Sequence, residues 1–362
     1  SAAVNRHVAD LARELQALGQ RPVIVTSADD TSELARTRAL FRRSRGRLVE
    51  LLQQYREGST PDELLLPTPG VGPLDPAVGI PVIPVGYSFP VRLNGGVASL
   101  GLPVDVTSRL EKLMLGGGFD LVHVHEPLAP SLSFTALREA RSPVVGTFHL
   151  TPVGVAAYEL GQSVLERFFL RLDARVVTST HGRQMMDDLY PGEYGVVPCG
   201  TSFPVQPAAV EPGAERGLGV GRGAVALHVY RGDARRAYRA LMRALLTEFP
   251  SQLDHLVVAL HRPSTERWMP RAVPRRLRAR VTLREFDSDV ELAALYRGTD
   301  LAVLPFLGGE WLCASLAEAA ASGRPFIGPD LPPVSERLAA GAAGATFSPG
   351  ASGSLAAAVT RA

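Results

Sequence analysis

Short apolar runs rich in β-branched residues alternate along this chain with longer segments of helical periodicity, and that alternation restricts the fold more than any other feature. In the first half the runs are PVIVTS (22–27), LVHVH (121–125), PVVGTFH (143–149) and ARVVTS (174–179). Ahead of them Val4, Val8, Leu11, Leu15 and Leu18 recur at helical spacing, and further helices are expected from Ser131 and over 157–171. A second series holds AVALHVY (224–230), HLVVAL (255–260), RVTLREF (280–286), DLAVLPF (300–306) and RPFIGP (324–329). Runs that are apolar nearly throughout belong to strands buried on both faces, as in parallel sheets covered by helices on each side. At 362 residues the chain is also too long for one ordinary core. The stretch from Thr201 to Gly223, rich in Pro, Gly, Ala and Glu and without periodicity, reads as a linker. The expected architecture is α/β, with two doubly wound Rossmann-like domains over 1–200 and 224–362 and ligands in the cleft at the carboxyl ends of the strands.

Composition narrows the function. A hydrophobic content of 46% and a mean hydropathy of +0.08 suit a globular protein. No apolar run reaches the roughly 18 residues a membrane-spanning helix needs. A net charge of +2 does not by itself carry nucleic-acid binding, and no nucleic-acid partner is expected. Lys112 is the only lysine, so a cationic site must be built from arginine. Cys199 and Cys313 lie far apart and make neither a disulfide framework nor a metal site, which leaves a reducing cytoplasm as the expected compartment. The chain opens at Ser1 without an initiator methionine or a leader pattern and enters directly into a helix, so a segment upstream is expected.

Residues 30–57 interrupt the first domain. They open with a capping pattern, Asp30 and Glu33, and set Leu34, Leu40, Phe41, Leu48, Leu51 and Leu52 against Arg36, Arg38, Arg42, Arg43, Arg45 and Arg47. This basic amphipathic helix, with a break at Gly46, has two readings: an inserted helix packed on its domain with a solvated face, or a contact to an anionic membrane surface. The Pro/Gly-rich stretch that follows, to about Pro90, reads as loop.

Chemistry concentrates in GGEWLCASLAEAAASGRPFIGPD (308–330), where a loop enters an alanine-rich helix. At about 100° per residue, Glu310 and Glu318 fall within about 80° of each other on the helix surface. An anionic ligand at the helix entrance meets free backbone N–H groups and the positive end of the dipole, while a deeper carboxylate can accept hydrogen bonds from hydroxyls. The bland alternative is a pair of surface glutamates on a soluble helix. His123 and His125, which alternate with valines, have a similar alternative as strand residues with satisfied ring nitrogens.

With its second glutamate after seven intervening residues, then alanines, Gly323, Pro325 and a strand, this segment resembles the retaining glycosyltransferases of family 4, which have the GT-B fold. FDLVHVHEPLAPSLSFTALREARSPVVGTFH (119–149), AAVNRHVADLARELQALG (2–19) and VVPCG (196–200) look like the corresponding regions of actinobacterial phosphatidylinositol mannosyltransferases. The resemblance covers nearly the whole chain except 30–80. It implies transfer of a hexose from a UDP-, GDP- or ADP-linked sugar to a lipid, glycan or small-molecule hydroxyl with retained configuration, without metal or other cofactor. Glu318 would then bind the ribose, Glu310 and His149 would face the donor sugar, and Arg231 with Arg235 or Arg236 would neutralise the diphosphate. Asn5, Asn94 and Glu126 would lie on the acceptor side. The resemblance also implies a strand before Ser1, a last helix beyond Ala362, and a cytoplasmic location with peripheral contact at the inner face of the membrane.

The departures fall where ligand approaches backbone. Ala2 and Ala3 replace a glycine pair, and Trp311, Leu312 and Cys313 replace a glycine-rich turn; Cys199, Ser202 and Arg284 are likewise unlike the family pattern. A side chain at such a position blocks the approach and strains the turn. An indole beside Glu310 is expected to occupy space the sugar diphosphate uses. Ser99 stands where an arginine meets the lipid phosphate, and TSRLEKLML (107–115) keeps only Arg109 and Lys112 of a basic helix, so a phosphatidylinositol acceptor is not supported. Two function classes therefore stay open: an active retaining hexosyltransferase, and a catalytically silent paralogue acting as a binding or scaffolding subunit. A sugar-nucleotide epimerase would use the same cleft.

Overall fold

The structure, a computed structural model, describes residues 2–28, 47–61, 64, 79–93, 96–101, 103–129, 132–150, 152–201, 223–230, 235–261, 273–306, 310–351 and 353–362. They form two compact units, Ser1–Pro198 and Cys199–Ala362.

The first unit begins with helix α1 (Ala2–Ala17), followed by strand β1 (Ile24–Ala28) and helix α2 (Arg47–Arg56). Strand β2 (Val82–Leu93) pairs parallel with β1 and antiparallel with β3 (Gly96–Gly101). Residues 82–93 therefore correct the reading of this stretch as loop. Three prolines disguised the strand, yet Val82, Ile83 and Val85 are buried, and Pro84 lies opposite Thr26 just before the register slips, where a missing N–H donor is tolerated. Helix α3 (Pro103–Gly116) leads to a four-stranded parallel sheet in the order β4 (Val122–His125), β5 (Val144–Phe148), β6 (Ala174–Val177), β7 (Gly195–Val196). Its crossovers are α4 (Leu132–Glu139), α5 (Pro152–Phe169) and α6 (Thr180–Leu189).

Helix α2 is the described part of the inserted segment; Arg36, Arg38, Arg42, Arg43 and Arg45 lie outside the described residues. Its Leu48, Leu51, Leu52 and Tyr55 are buried against Ile83, Val85, Leu110 and Leu113. Over 47–56 the apolar face thus belongs to the domain core and is not free to enter a lipid surface.

The second unit is one six-stranded, wholly parallel sheet in the order β10-β9-β8-β11-β12-β13, with β8 at Ala224–Tyr230, β9 at Leu253–His261, β10 at Val281–Phe286, β11 at Leu301–Val303, β12 at Phe326–Pro329 and β13 at Gly344–Phe347. Counted from its own first strand, this is the 3-2-1-4-5-6 order of dinucleotide-binding Rossmann folds. Helices α7 (Arg235–Thr247), α8 (Asp289–Gly298), α9 (Glu310–Ala321), α10 (Pro332–Ala339) and α11 (Ser354–Arg361) connect or follow the strands. Successive residues of β8 divide between two cores. Val225, Leu227 and Val229 pack with Leu312, Leu316 and Ala319 of α9, and Ala226 and Tyr230 with Leu241, Leu245 and Ala358. That division is the physical meaning of a doubly wound sheet.

Two glycines are fixed by geometry. Gly323 takes φ +63° just past α9, where its N–H bonds Ala320 and the next N–H bonds Ala319. Gly344, at φ +152°, lies so close to β12 that a Cβ would collide with the Phe326 carbonyl. Among the described residues, no helix is long and apolar enough to cross a membrane.

Candidate functional site

Each unit carries one constellation at the carboxyl ends of its strands. In the second unit, the strand order reverses between β8 and β11, the topological switch point at which such folds bind ligands. Arg235 and Arg236 open α7, whose first turn holds no acidic residue. Two cations at a helix N-terminus oppose the dipole at a cost of about 0.3–1 kcal/mol each, which a bound anion would offset. Arg236 is exposed and Arg235 half-buried. Arg231 lies outside the described residues.

The loop after β11 ends at Glu310, the first residue of α9, whose side chain lies outside the described residues. Two turns on, Glu318 is 1% exposed and accepts a hydrogen bond from the Tyr296 hydroxyl at 3.1 Å, with Tyr296 itself fully buried on α8. Trp311 is partly buried and packs against the apolar cluster that includes Leu312 and Leu316. The indole therefore contributes to the core of this unit. His228, on β8, donates from Nδ1 to the Val303 carbonyl of β11 at 3.2 Å and is 1% exposed. It ties together the two strands that flank the switch point, a role that a histidine inside AVALHVY gave no sign of.

In the first unit, parallel pairing sets His125 opposite Thr147 and brings the ends of β4 and β5 together. His125 Nδ1 and His149 Nε2 lie 3.0 Å apart and share a hydrogen bond. His123 Nε2 meets Thr147 Oγ1 at 2.7 Å, and its ring stacks on His125 with centroids 4.4 Å apart. His7 comes from α1, edge-on to His125 and His149 at 5.5 and 4.9 Å between centroids. Asn5, half-buried, lies two residues earlier on the same helix. Asn94 is outside the described residues.

Glu126 braces this cluster. Its backbone N–H bonds the Thr147 carbonyl at 2.8 Å, one carboxylate oxygen accepts the His149 backbone N–H at 2.9 Å, and the other accepts the Tyr158 hydroxyl. Glu126 and Leu150 both adopt φ 55°, the only non-glycine residues among those described with positive φ. Such a backbone costs about 1–2 kcal/mol per residue and persists only where the surroundings hold it. Both strained residues adjoin a histidine of the cluster, at positions 125 and 149.

Burial pushes the imidazoles toward neutrality. His123 is lowered to about 4 by burial and then by His7. His125 falls well below its ordinary value through burial and then His149, and His149 through burial and then His7. Burial also lowers His7, with the Asp10 carboxylate pulling the other way. Asp10 is itself paired with Arg6 and Arg13.

Sequence spacing revealed no set of metal-ligating side chains, yet the fold assembles one: a ring nitrogen from each of His7, His125 and His149, all within 4.8 Å of one another. The three are far apart in the chain, so no motif spacing could reveal them. Tyr158 and Tyr296, which hold the two buried glutamates, were equally silent.

Comparison with known proteins agrees with both halves of the fold. The family model described as Glycosyltransferase Family 4 matches residues 4–202, and that described as Glycosyl transferases group 1 matches 226–362. Phosphatidyl-myo-inositol mannosyltransferase of Mycobacterium leprae is 29% identical over 266 residues, covering 72% of this chain and 69% of its own. The Mycolicibacterium smegmatis protein of the same name is also 29% identical, over 76% of this chain and 70% of its own. Among solved structures, a glycosyltransferase from Rickettsia africae has a TM-score of 0.61 at 14% identity, covering 99% of this chain and 84% of that one. Anabaena HepE, solved with UDP and glucose, has a TM-score of 0.55 at 17% identity over 92% of this chain and 87% of that one.

Proposed function

This chain belongs to glycosyltransferase family 4, and we propose that it is a hexosyltransferase that moves the hexose from a UDP-, GDP- or ADP-linked sugar to an acceptor hydroxyl with retention of configuration. The observation that carries this reading is the strand order of the second unit, because the arginine-bearing turn of α7 and the glutamate-bearing helix α9 follow the two strands that flank the topological switch point. The diphosphate then lies by Arg235 and Arg236 together with Arg231, and Glu318 and Glu310 address ribose and sugar. When the bond from the anomeric carbon to diphosphate breaks, negative charge accumulates on the leaving group, and guanidinium groups fixed beside it stabilise the transition state more than the ground state. With retention, the incoming hydroxyl arrives on the face the diphosphate leaves, so the departing phosphate oxygen is placed to take the hydroxyl proton. His149 and Glu126, at the strand ends of the first unit, address the hexose and the acceptor side, where Asn5 and Asn94 also belong.

The mycobacterial relatives, named for mannosyl transfer to phosphatidyl-myo-inositol, make mannose the first donor sugar to try. Ser99 in place of a phosphate-binding arginine argues for a different acceptor headgroup, lipid, glycan or small molecule. A catalytically silent paralogue is the second reading, favoured by the 1% exposure of Glu318 and its bond to Tyr296. Titration calorimetry with UDP, GDP and ADP separates the two. Micromolar binding of one nucleotide, weakened about tenfold (1.4 kcal/mol) or more by Glu318→Gln, supports the enzyme. No binding of any of the three supports the silent subunit.

A further inference from the structure

We propose that His7, His125 and His149 form a three-imidazole site for a divalent transition-metal ion of the zinc type. The site joins three separate elements: His7 from α1, His125 from the end of β4 and His149 from just after β5. One ligand nitrogen from each lies within 4.8 Å of the other two, and the closest pair, His125 Nδ1 and His149 Nε2, is 3.0 Å apart. A tetrahedral ion with bonds of about 2.0–2.1 Å needs its ligand nitrogens about 3.3 Å apart, so the closest pair opens by a few tenths of an ångström and His7 swings inward.

The surroundings suit such an ion. The backbones of Glu126 and Leu150, next to two of the ligands, are held in the left-handed region at φ 55°. The Glu126 carboxylate fixes the His149 backbone and so the ring it carries. His7 and His125 are half-buried and His149 is buried. Three nitrogen donors select zinc, cobalt, nickel or copper over magnesium and calcium, which require oxygen. Three protein ligands also leave the fourth tetrahedral position to an oxygen of water or substrate, the arrangement of zinc sites that bind or activate ligands. His123, whose Nε2 is engaged by Thr147, is not a ligand.

The test uses the whole chain, stripped with chelator and titrated with Co²⁺ alone and then with Zn²⁺. One equivalent of Co²⁺ is expected to give the intense visible bands of four-coordinate cobalt, which Zn²⁺ then displaces. His7→Gln and His125→Gln should each weaken binding by at least about tenfold. His181→Gln, on α6 and outside the cluster, should leave it unchanged. Far-UV circular dichroism and the urea midpoint show whether each variant is folded. His7 sits on a helix surface rather than in a sheet, so His7→Gln keeps the test open if His125→Gln misfolds. Absence of stoichiometric binding by either ion, or binding that survives both substitutions in folded protein, overturns the site. Metal binding is read without any nucleotide or acceptor, so its failure is distinct from failure of the glycosyl-transfer reading.

Discussion

At the scale of single residues, the two buried glutamates are each committed to a tyrosine, and this sets what their substitution does. Tyr296→Phe removes the hydroxyl that bonds Glu318 and leaves a carboxylate at 1% exposure with one donor fewer. A bond to a charged group is worth about 1.5–3 kcal/mol, so the urea midpoint should fall by that much in free energy with an unchanged slope. The histidine cluster predicts a pH dependence of known sign. His123 is held near 4 in the folded chain, whereas the unfolded chain protonates it near 6.5. The unfolded state therefore binds more protons between these values, and stability is complete above about pH 6.5 and falls as pH drops toward about 4. His123 alone contributes a loss of about 2 kcal/mol by about pH 5. His125 and His149, lowered further, act in the same direction. Urea unfolding of chelator-treated protein at about pH 7.5 and about pH 5 measures the difference, and an unchanged midpoint contradicts neutral burial of these rings.

At the scale of elements, legibility followed the strength of the local signal. The strands of the second unit were visible because burial on both faces demands uninterrupted apolar runs, and AVALHVY coincides with β8 from end to end. Strand β2 was hidden because Pro81, Pro84 and Pro90 read as turn, although Val82 on one face and Ile83 and Val85 on the other are buried. The spacing of Glu310 and Glu318 set both on one helix, as α9 has them, but the contact of Glu318 with Tyr296 runs across helices, which no local pattern encodes. The histidine cluster was half legible: LVHVH set two rings on one face of a strand, while the approach of α1 with His7 is tertiary. Helix α2 shows why amphipathicity leaves its occupant open, since an apolar stripe fits a core as well as a bilayer. Leu51 is fully buried in that core, so Leu51→Ala should cost about 2–5 kcal/mol in unfolding free energy. A cost below about 0.5 kcal/mol, the surface range, contradicts the docking of α2 on its domain. In the second unit, Gly344→Ala forces a Cβ against the Phe326 carbonyl at a φ that alanine rarely adopts, and should lower the urea midpoint more than an ordinary surface change does.

At the scale of the whole molecule, the two units separate the two chemistries that the chain brings together. The topological switch point lies in the 3-2-1-4-5-6 sheet of the second unit, whereas the imidazole cluster is assembled wholly within Ser1–Pro198. A ligand stabilises the folded state to which it binds, by about 2.7 kcal/mol at a hundredfold excess over its dissociation constant. Nucleotide and metal should therefore leave different footprints in amide hydrogen exchange. Saturating nucleotide should slow exchange in β8, the first turn of α7 and α9, since these elements border the switch point. Zn²⁺ alone should slow it in α1 and around 122–126 and 144–150, which carry or brace the three rings. Protection of peptides from the second unit alone by nucleotide, and from the first alone by Zn²⁺, would mean that each unit binds its ligand without the other's help. Slowed exchange in the first unit on adding nucleotide would instead give a direct measure of coupling, because a ligand shifts only those equilibria in which its affinity differs between the two states. The magnitude of that coupling, read as the change in donor affinity produced by an acceptor analogue, should vanish in Glu126→Gln if the braced strand ends of the first unit carry it, and persist unchanged if they do not.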